Sequence, residues 1–332
     1  MPHRKSLVML SMALTQLQQL ISTPDLAFAE QVALLETISA MSSSGEVLAA
    51  CVQLIRQHGM AVPGLPEAAT DIVGTGADGS NSFNVSTTAA FVIAGADIPV
   101  AKHGNRSVSS LSGSFDCLQA LQVQVPETPA AVLQQLQKQG ISFLFAPFFY
   151  PGMARLAPVR KALAARGKKN IFQLLGPLLH PGRVRYQVLG VYDANLMRPM
   201  AEAMQILGIR QGAVVHSSGM DELSLLGNNQ ILLVNQAGIR PFKLEIADYG
   251  FSACQACDLN GGGPSENGHI LEQILQGNLP GPKTDTVIIN AALALYLHHD
   301  NFADCLQSAQ AAIQSGAALD KLNSLRKQHG FS

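Results

Sequence analysis

The stretch DIVGTGADGSNSFNVSTTAAF, Asp71 to Phe91, decides how the chain is read. It opens on a short β-branched run, passes through a glycine-rich turn and closes in a segment rich in helix formers. Gly74, Gly76 and Gly79 can adopt positive φ and leave no Cβ between the backbone and an incoming anion. Asn84, Ser86, Thr87 and Thr88 add side-chain donors where a helix N-terminus would contribute its positive dipole end. The loop lacks the Lys-Ser/Thr of a P-loop and the strict dinucleotide spacing. Taken alone, it suits a tight turn before a capped helix as well as a pyrophosphate cradle.

A second stretch shifts that balance. AKHGNRSVSSLSGSFD, Ala101 to Asp116, sets Lys102, His103 and Arg106 among Gly104, Asn105, Ser107, Ser109, Ser110, Ser112 and Gly113 after another apparent strand. Cations among small and hydroxylic residues make a second wall for an anion, although a solvated basic loop has the same composition. His103 is expected to be a structural or ligand-contact residue rather than a general base. Further on, Asp221 and Glu222 in SSGMDELSL follow the apparent strand Ala213 to His216. Adjacent acids at a strand exit suit a hard divalent cation, and an exposed acidic turn is the plainer alternative.

Around these motifs the texture is α/β. Asp71–Val73, Phe91–Ala94, Ile98–Lys102 and Phe143–Phe145 read as short extended runs between helical segments. Val188–Tyr192, Ala213–His216 and Ile231–Val234 read as buried strands, with a helix over Leu196–Leu207 and helices over Glu266–Leu275 and Thr284 to about Arg326. Ser6 to Gly59 is helical in pattern, and the proline-bearing stretch Ala61–Ala69 reads as a hinge. The expected architecture is a small N-terminal helical domain plus a large α/β domain with a mainly parallel central sheet flanked by helices.

The chain has 332 residues, beyond the size at which single cores stop growing, about 250–300 residues, so two domains are expected. Apolar residues make up 47% and charged residues 14%, a composition compatible with subunit association. A formal charge of -1 gives no global reason to bind nucleic acid or an anionic membrane. Five scattered cysteines argue for a reducing compartment rather than a disulfide scaffold. Arg4 and Lys5 before Leu7–Leu14 imitate a secretory signal, but the leucines recur at helical spacing and no small-residue cleavage site follows. No membrane span is expected. Cys254 and Cys257 lack a second ligand pair, so no zinc site is expected, and His298 and His299 are expected to face solvent.

DIVGTGADG, FNVST, AKHGNRSVSS and LSGSFD, followed in order by FLFAP, APVR, LLGPL, QVLGVYD, GMDELSL, GGGPSEN and NAALALY, resemble the successive motifs of anthranilate phosphoribosyltransferases. The resemblance runs from about Asp71 to Leu325. It implies the nucleoside phosphorylase type III fold and a cytoplasmic tryptophan-pathway transferase, a homodimer formed through its helical domain. The implied substrates are phosphoribosyl pyrophosphate (PRPP) and anthranilate, with Mg2+ as cofactor. It further implies a small domain of 1–66 with 148–168 and a PRPP-binding domain of 67–147 with 169–332, hinged near Ala61–Ala69 and Phe145–Gly152. Carried over residue by residue, Gly74, Thr75, Gly76, Asp78, Gly79, Asn84, Ser86, Thr87, Lys102 and Ser110 meet PRPP. Ser86, Asp221 and Glu222 hold the metal, and Asn105, Arg160, Gly74 and Tyr150 meet anthranilate. Ala77, Phe115, Tyr150 and Gln173 depart from the family pattern, and the segment after Arg160 is longer than usual. Another aromatic or heterocyclic acceptor, or a catalytically silent scaffold, remains the alternative.

Overall fold

The structure is a computed structural model that describes the chain except for residues 1, 77, 107–110 and 327–332, with residues 2–6 described by their backbone alone. Ser110, Ala77, Ser107 and Ser109 therefore lie outside the described residues.

Seven strands form one sheet: β1 (Thr70–Gly74), β2 (Val100–Gly104), β3 (Ile141–Phe145), β4 (Tyr186–Gly190), β5 (Gln211–Ser217), β6 (Asn229–Asn235) and β7 (Gly238–Pro241). Their order is β3-β2-β1-β4-β5-β6-β7. The first five pair in parallel, while β6 and β7 add on antiparallel. The chain builds outward from β1 to β3 on one side, then crosses back to start β4 on the other. This reversal opens a crevice beyond the carboxyl ends of β1 and β4, where open α/β sheets bind ligands.

Side-chain alternation divides the core between the two sheet faces. Val188, Ala213 and Val215 point into one apolar cluster, which includes Phe91, Leu118, Leu271, Ile289 and Leu293. Leu189 and Val214, one residue out of phase, point into the other, with Leu17, Leu35, Val52, Leu175 and Met200. Helices therefore cover both faces, as a parallel sheet requires. The N-terminal helices Pro2–Ser22, Phe28–Ser39 and Gly45–Arg56 share the second cluster. Ser44 caps the third, its Oγ accepting from Val47 N at 3.3 Å. At Gly45 a Cβ would fall 2.4 Å from Glu202 Cβ, so the absent side chain lets this helix pack closely on Met197–Ile206.

Two expectations need correcting. Phe91–Ala94 is not extended but completes the helix Val85–Gly95, whose residues Thr87–Ala94 are all buried. A helix apolar all round has no polar face to betray its period. Thr284–Arg326 is helical as expected, in three helices, Pro282–Tyr296, Phe302–Gln314 and Ala317–Leu325. They are broken where Asn301 caps Ala303 N at 3.0 Å and where Gly316 takes φ +81°. His298 does not face solvent: its ring stacks on Tyr186 with centroids 3.9 Å apart, and Nε2 lies 2.7 Å from Thr70 Oγ1. Burial pulls its pKa down to about 4. No described helix is long and apolar enough to cross a membrane.

Candidate active site

The glycine loop leaves β1 and wraps a carboxylate that arrives from beyond β5. Gly76 N donates to Asp221 Oδ2 at 2.5 Å, and Thr75 Oγ1 donates to the same oxygen at 3.4 Å. Thr75 is itself pinned, its N–H donating to Gly190 O at 3.0 Å and its Oγ1 accepting from Tyr192 N at 3.1 Å. Gly76 and Gly79 take φ of +61° and +74°, the backbone freedom expected of them. Gly74 is glycine for a different reason, because a Cβ there would lie 2.3 Å from Asp221 Oδ2. At Gly190, paired with Gly74 across β1 and β4, a Cβ would lie 1.4 Å from the Asp221 carbonyl oxygen. The carboxylate turn thus rests directly on the bare ends of two neighbouring strands. Gly190→Ala is expected to cost at least about 3 kcal/mol, since the obstruction is backbone and cannot rotate away. Urea unfolding measures this, and a loss under about 1 kcal/mol would show that the turn is free to move.

Electrostatics set the character of this crevice. Burial, then repulsion from Asp78, outweighs the Gly76 hydrogen bond and raises the Asp221 pKa to about 6. Glu222 is raised well above the usual range by burial and by Asp221 and Asp78 together, despite a hydrogen bond from the Ser86 backbone. Asp78 Oδ1 accepts from Ser80 N at 3.1 Å, while its Oδ2 is buried with no hydrogen-bond partner. The nearby buried cation is Lys102, 2% exposed, whose Nζ donates to Ile72 O at 2.5 Å and to Ser86 Oγ at 3.3 Å. Burial lowers its pKa against the pull of Asp71, Glu222 and Asp221. Carboxylates that repel one another, one of them with an unpaired buried oxygen, suit a hard divalent cation. Thr87 Oγ1 is likewise buried without a partner at the start of the helix Val85–Gly95, where an anion would be met.

The remaining expected residues divide. Asn84 lies beside the loop, its Nδ2 donating to Ser112 O at 3.3 Å and its Oδ1 accepting from Asn267 Nδ2 at 3.0 Å. Asn105 is exposed beyond β2, its Oδ1 accepting from Arg106 N at 2.7 Å. Arg160 stands on the helix Ala157–Ala165 with its guanidinium 5.5 Å from the Phe172 ring centroid and its Nε buried without a partner. Burial lowers its pKa. Tyr150 is 6% exposed; its ring fills the space beside Gly59, and the Arg56 charge acts on its hydroxyl against the effect of burial.

The basic wall is narrower than expected. Arg106 is engaged by Asp116 at 2.8 Å and by Gln119 at 2.7 Å, so it turns along the helix Ser114–Ala120. His103 points into the sheet, where Nδ1 meets Asp71 Oδ2 at 2.8 Å and Nε2 meets Gly176 O at 2.9 Å. The ring is thus held at both nitrogens, between the Asp71 carboxylate and the Gly176 carbonyl. Asp71 also accepts from His103 N at 3.1 Å and from Gln187 Nε2 at 2.9 Å. Although its burial acts in the opposite sense, His103 above all holds Asp71 down at about 2. His180 completes a trio whose ligand atoms lie within 4.8 Å, yet its Nε2 donates to Ala101 O at 2.7 Å and its Nδ1 accepts from Gly182 N at 3.0 Å. Every ring nitrogen in the trio is committed, so the group is a structural hub rather than a metal site.

Two site features were not foreseen. Asp71 sat unremarked at the head of the decisive motif. Lys169, in the lengthened segment after Arg160, places Nζ 3.2 Å from the Tyr192 ring centroid and is attracted by Asp193, Asp78 and Asp221. The paired lysines of GKKN were the available signal. A cavity of about 280 Å³ beside Gln124, Gln135, Lys138 and Leu325 is lined by none of these groups.

Fold and crevice together define a class. Residues 66–319 match the family described as "Glycosyl transferase family, a/b domain". An anthranilate phosphoribosyltransferase of Desulfitobacterium hafniense (strain DSM 10664 / DCB-2) is 42% identical over 315 residues, 94% of this chain and 92% of that one. The crystal structure of the Thermus thermophilus anthranilate phosphoribosyltransferase superposes with TM-score 0.85 at 34% identity, covering 94% of this chain and 92% of the other. The Saccharomyces cerevisiae enzyme, in complex with PRPP and Mg, gives 0.83 at 29% identity, with 94% and 90% covered. This chain belongs to the anthranilate phosphoribosyltransferase family.

Proposed function

We infer that the protein transfers the 5-phosphoribosyl group of PRPP to the amine of anthranilate and releases pyrophosphate. The observation that carries this reading is the buried Asp221 carboxylate, held by the Gly76 N–H of the glycine loop and repelled by the partly buried Asp78, with the partly buried Glu222 next to it in the chain. A magnesium ion bound there would neutralise diphosphate oxygens and favour their departure. Asp221 and Glu222 would hold it, with Ser86 in its shell. Gly74, Thr75, Gly76, Asp78, Gly79, Asn84, Thr87, Lys102 and Ser110 would bind PRPP through backbone and side-chain donors. The arylamine nitrogen forms a bond to ribose C1 as the C1–O bond to diphosphate breaks, and the nitrogen then loses a proton to water. The amine is already neutral, so positioning and charge stabilisation suffice and no dedicated base is assigned.

Asn105 and Arg160 serve the acceptor carboxylate, beside Gly74. Tyr150 acts behind them through Arg56 rather than by direct exposure. The division into 1–66 with 148–168 and 67–147 with 169–332 supplies two lobes that close on the substrates. Leu7, Val8 and Met12, exposed on the first helix, offer an apolar face for a homodimer in the cytoplasm.

Purified protein given PRPP, magnesium and anthranilate is expected to quench anthranilate fluorescence continuously. PRPP binding by calorimetry without turnover would reject anthranilate as the acceptor. Arg160→Ala is expected to raise the anthranilate KM about tenfold or more, the loss of a charge-assisted pair, with the PRPP KM little changed. An equal rise in both constants would remove Arg160 from the acceptor site.

A further inference from the structure

Two asparagines grip the backbone on which the carboxylate pair stands. Asn290, 2% exposed on the helix Pro282–Tyr296, accepts from Leu223 N at 3.0 Å and donates to Leu223 O at 2.8 Å. Its amide is oriented by a further bond to Thr286 O at 2.8 Å. Asn229, the first residue of β6, does the same one residue on, accepting from Ser224 N at 3.0 Å and donating to Ser224 O at 2.9 Å. Leu223 and Ser224 are both 0% exposed, so water does not satisfy those peptide groups. On the other side of the pair, Ser217 and Met220 exchange backbone hydrogen bonds of 3.1 and 2.7 Å. Ser217 Oγ also lies 2.7 Å from Ser224 Oγ, tying the two ends together.

Asp221 and Glu222 therefore hang between a closed turn and a double amide clamp. Their mutual repulsion, and that of Asp78, favours any backbone rotation that carries one carboxylate away into water. A turn without side-chain restraints would relax in that way. We propose that Asn290 and Asn229 are positioning residues, whose amides fix Leu223 and Ser224 so that Asp221 and Glu222 already face a divalent cation before it arrives. This rests on the function inferred above. Neither asparagine touches the cation in this scheme; they act through the peptide they hold.

Mn2+ is a suitable probe, read on the full chain at low temperature by the electron paramagnetic resonance signal of the free ion. Asn290→Ala and Asn229→Ala are each expected to weaken Mn2+ binding about 10- to 100-fold, the usual effect of losing a partner behind a metal ligand. The magnesium concentration needed for half-maximal turnover should rise in parallel while the anthranilate KM stays constant, a split that general loosening of the fold would not produce. Mn2+ binding by both variants as tight as wild type, in folded protein, overturns the proposal. If wild type itself binds no Mn2+, the function reading falls and the proposal with it.

Hydrogen exchange on the wild type covers the case in which neither variant folds. The amides of Leu223 and Ser224 should be equally protected with and without Mn2+. Protection that develops only with Mn2+ would mean that the cation orders the turn, and would also overturn the proposal.

Discussion

Replacing Asp221 by Asn together with Glu222 by Gln is expected to lower magnesium-dependent turnover by about a thousandfold or more while making the metal-free protein more stable. A bound divalent ion supplies several kcal/mol of charge stabilisation, and each 1.4 kcal/mol is about tenfold in rate. Stability changes in the other direction because the native state holds these carboxylates where ionisation is unfavourable. Asp221, with its pKa near 6, binds a proton more tightly folded than unfolded. Protonation therefore favours the native state: this contribution is present near pH 4 and is lost as the pH rises through about 6. For this 8% exposed group the loss is on the order of 2–3 kcal/mol. Thermal unfolding of metal-free wild type should accordingly show a contribution that lowers Tm at pH 7 relative to pH 5, a difference that shrinks in the double variant. Because magnesium binds the ionised form, its affinity should fall as the pH drops through the same window. A double variant with wild-type turnover at ordinary magnesium would reject the metal assignment.

Asp71→Ala is expected to destabilise the fold by about 3 kcal/mol or more, because it leaves several buried hydrogen-bonding groups without their carboxylate partner. Asp71 is 0% exposed and receives the His103 ring, the His103 backbone and Gln187. These groups come from β2 and β4, the neighbours of β1 on either side. Truncation leaves an imidazole and an amide facing an apolar methyl group. Asp71→Asn keeps the volume but turns a carboxamide donor toward other donors, so it should cost nearly as much. The pH dependence is opposite to that of Asp221. A carboxylate held near 2 contributes stability that is present above about pH 4 and is lost as the pH falls through about 2. Urea unfolding at pH 7 and pH 3 measures both effects, and a loss below about 1 kcal/mol for either variant at pH 7 would contradict the hub.

What could be read from the sequence follows from how local each feature is. Gly76 and Gly79 were legible because positive φ in a glycine loop is a property of the loop itself. Gly74 was legible as a glycine but not for its cause, since Asp221 lies far along the chain. Asp221 and Glu222 stood out as neighbours in sequence; Asp78 did not stand out as the third carboxylate, because only the fold brings it near them. The strands were visible except β7, a four-residue antiparallel edge with a half-exposed pattern. Phe91–Ala94 misled because a helix buried on every side has the composition of a buried strand. Asp71, His103 and Gln187 could not be read as a unit, since their meeting depends on the placement of β1 between β2 and β4. His298 was misplaced for the same reason, being held by Thr70 and Tyr186 at the first positions of β1 and β4.

The hydrogen bond from Gly76 to Asp221 spans 145 residues. In a polypeptide growing from its N-terminus, the glycine loop is therefore synthesised long before the carboxylate that closes it. Neither β4, whose bare end seats that carboxylate, nor β5, which delivers it, exists when the loop first leaves the ribosome. On the proposed assignment, the means to hold a cation would thus be acquired in a single late step of assembly, and a nascent chain that has reached only β3 would carry the loop without the carboxylates.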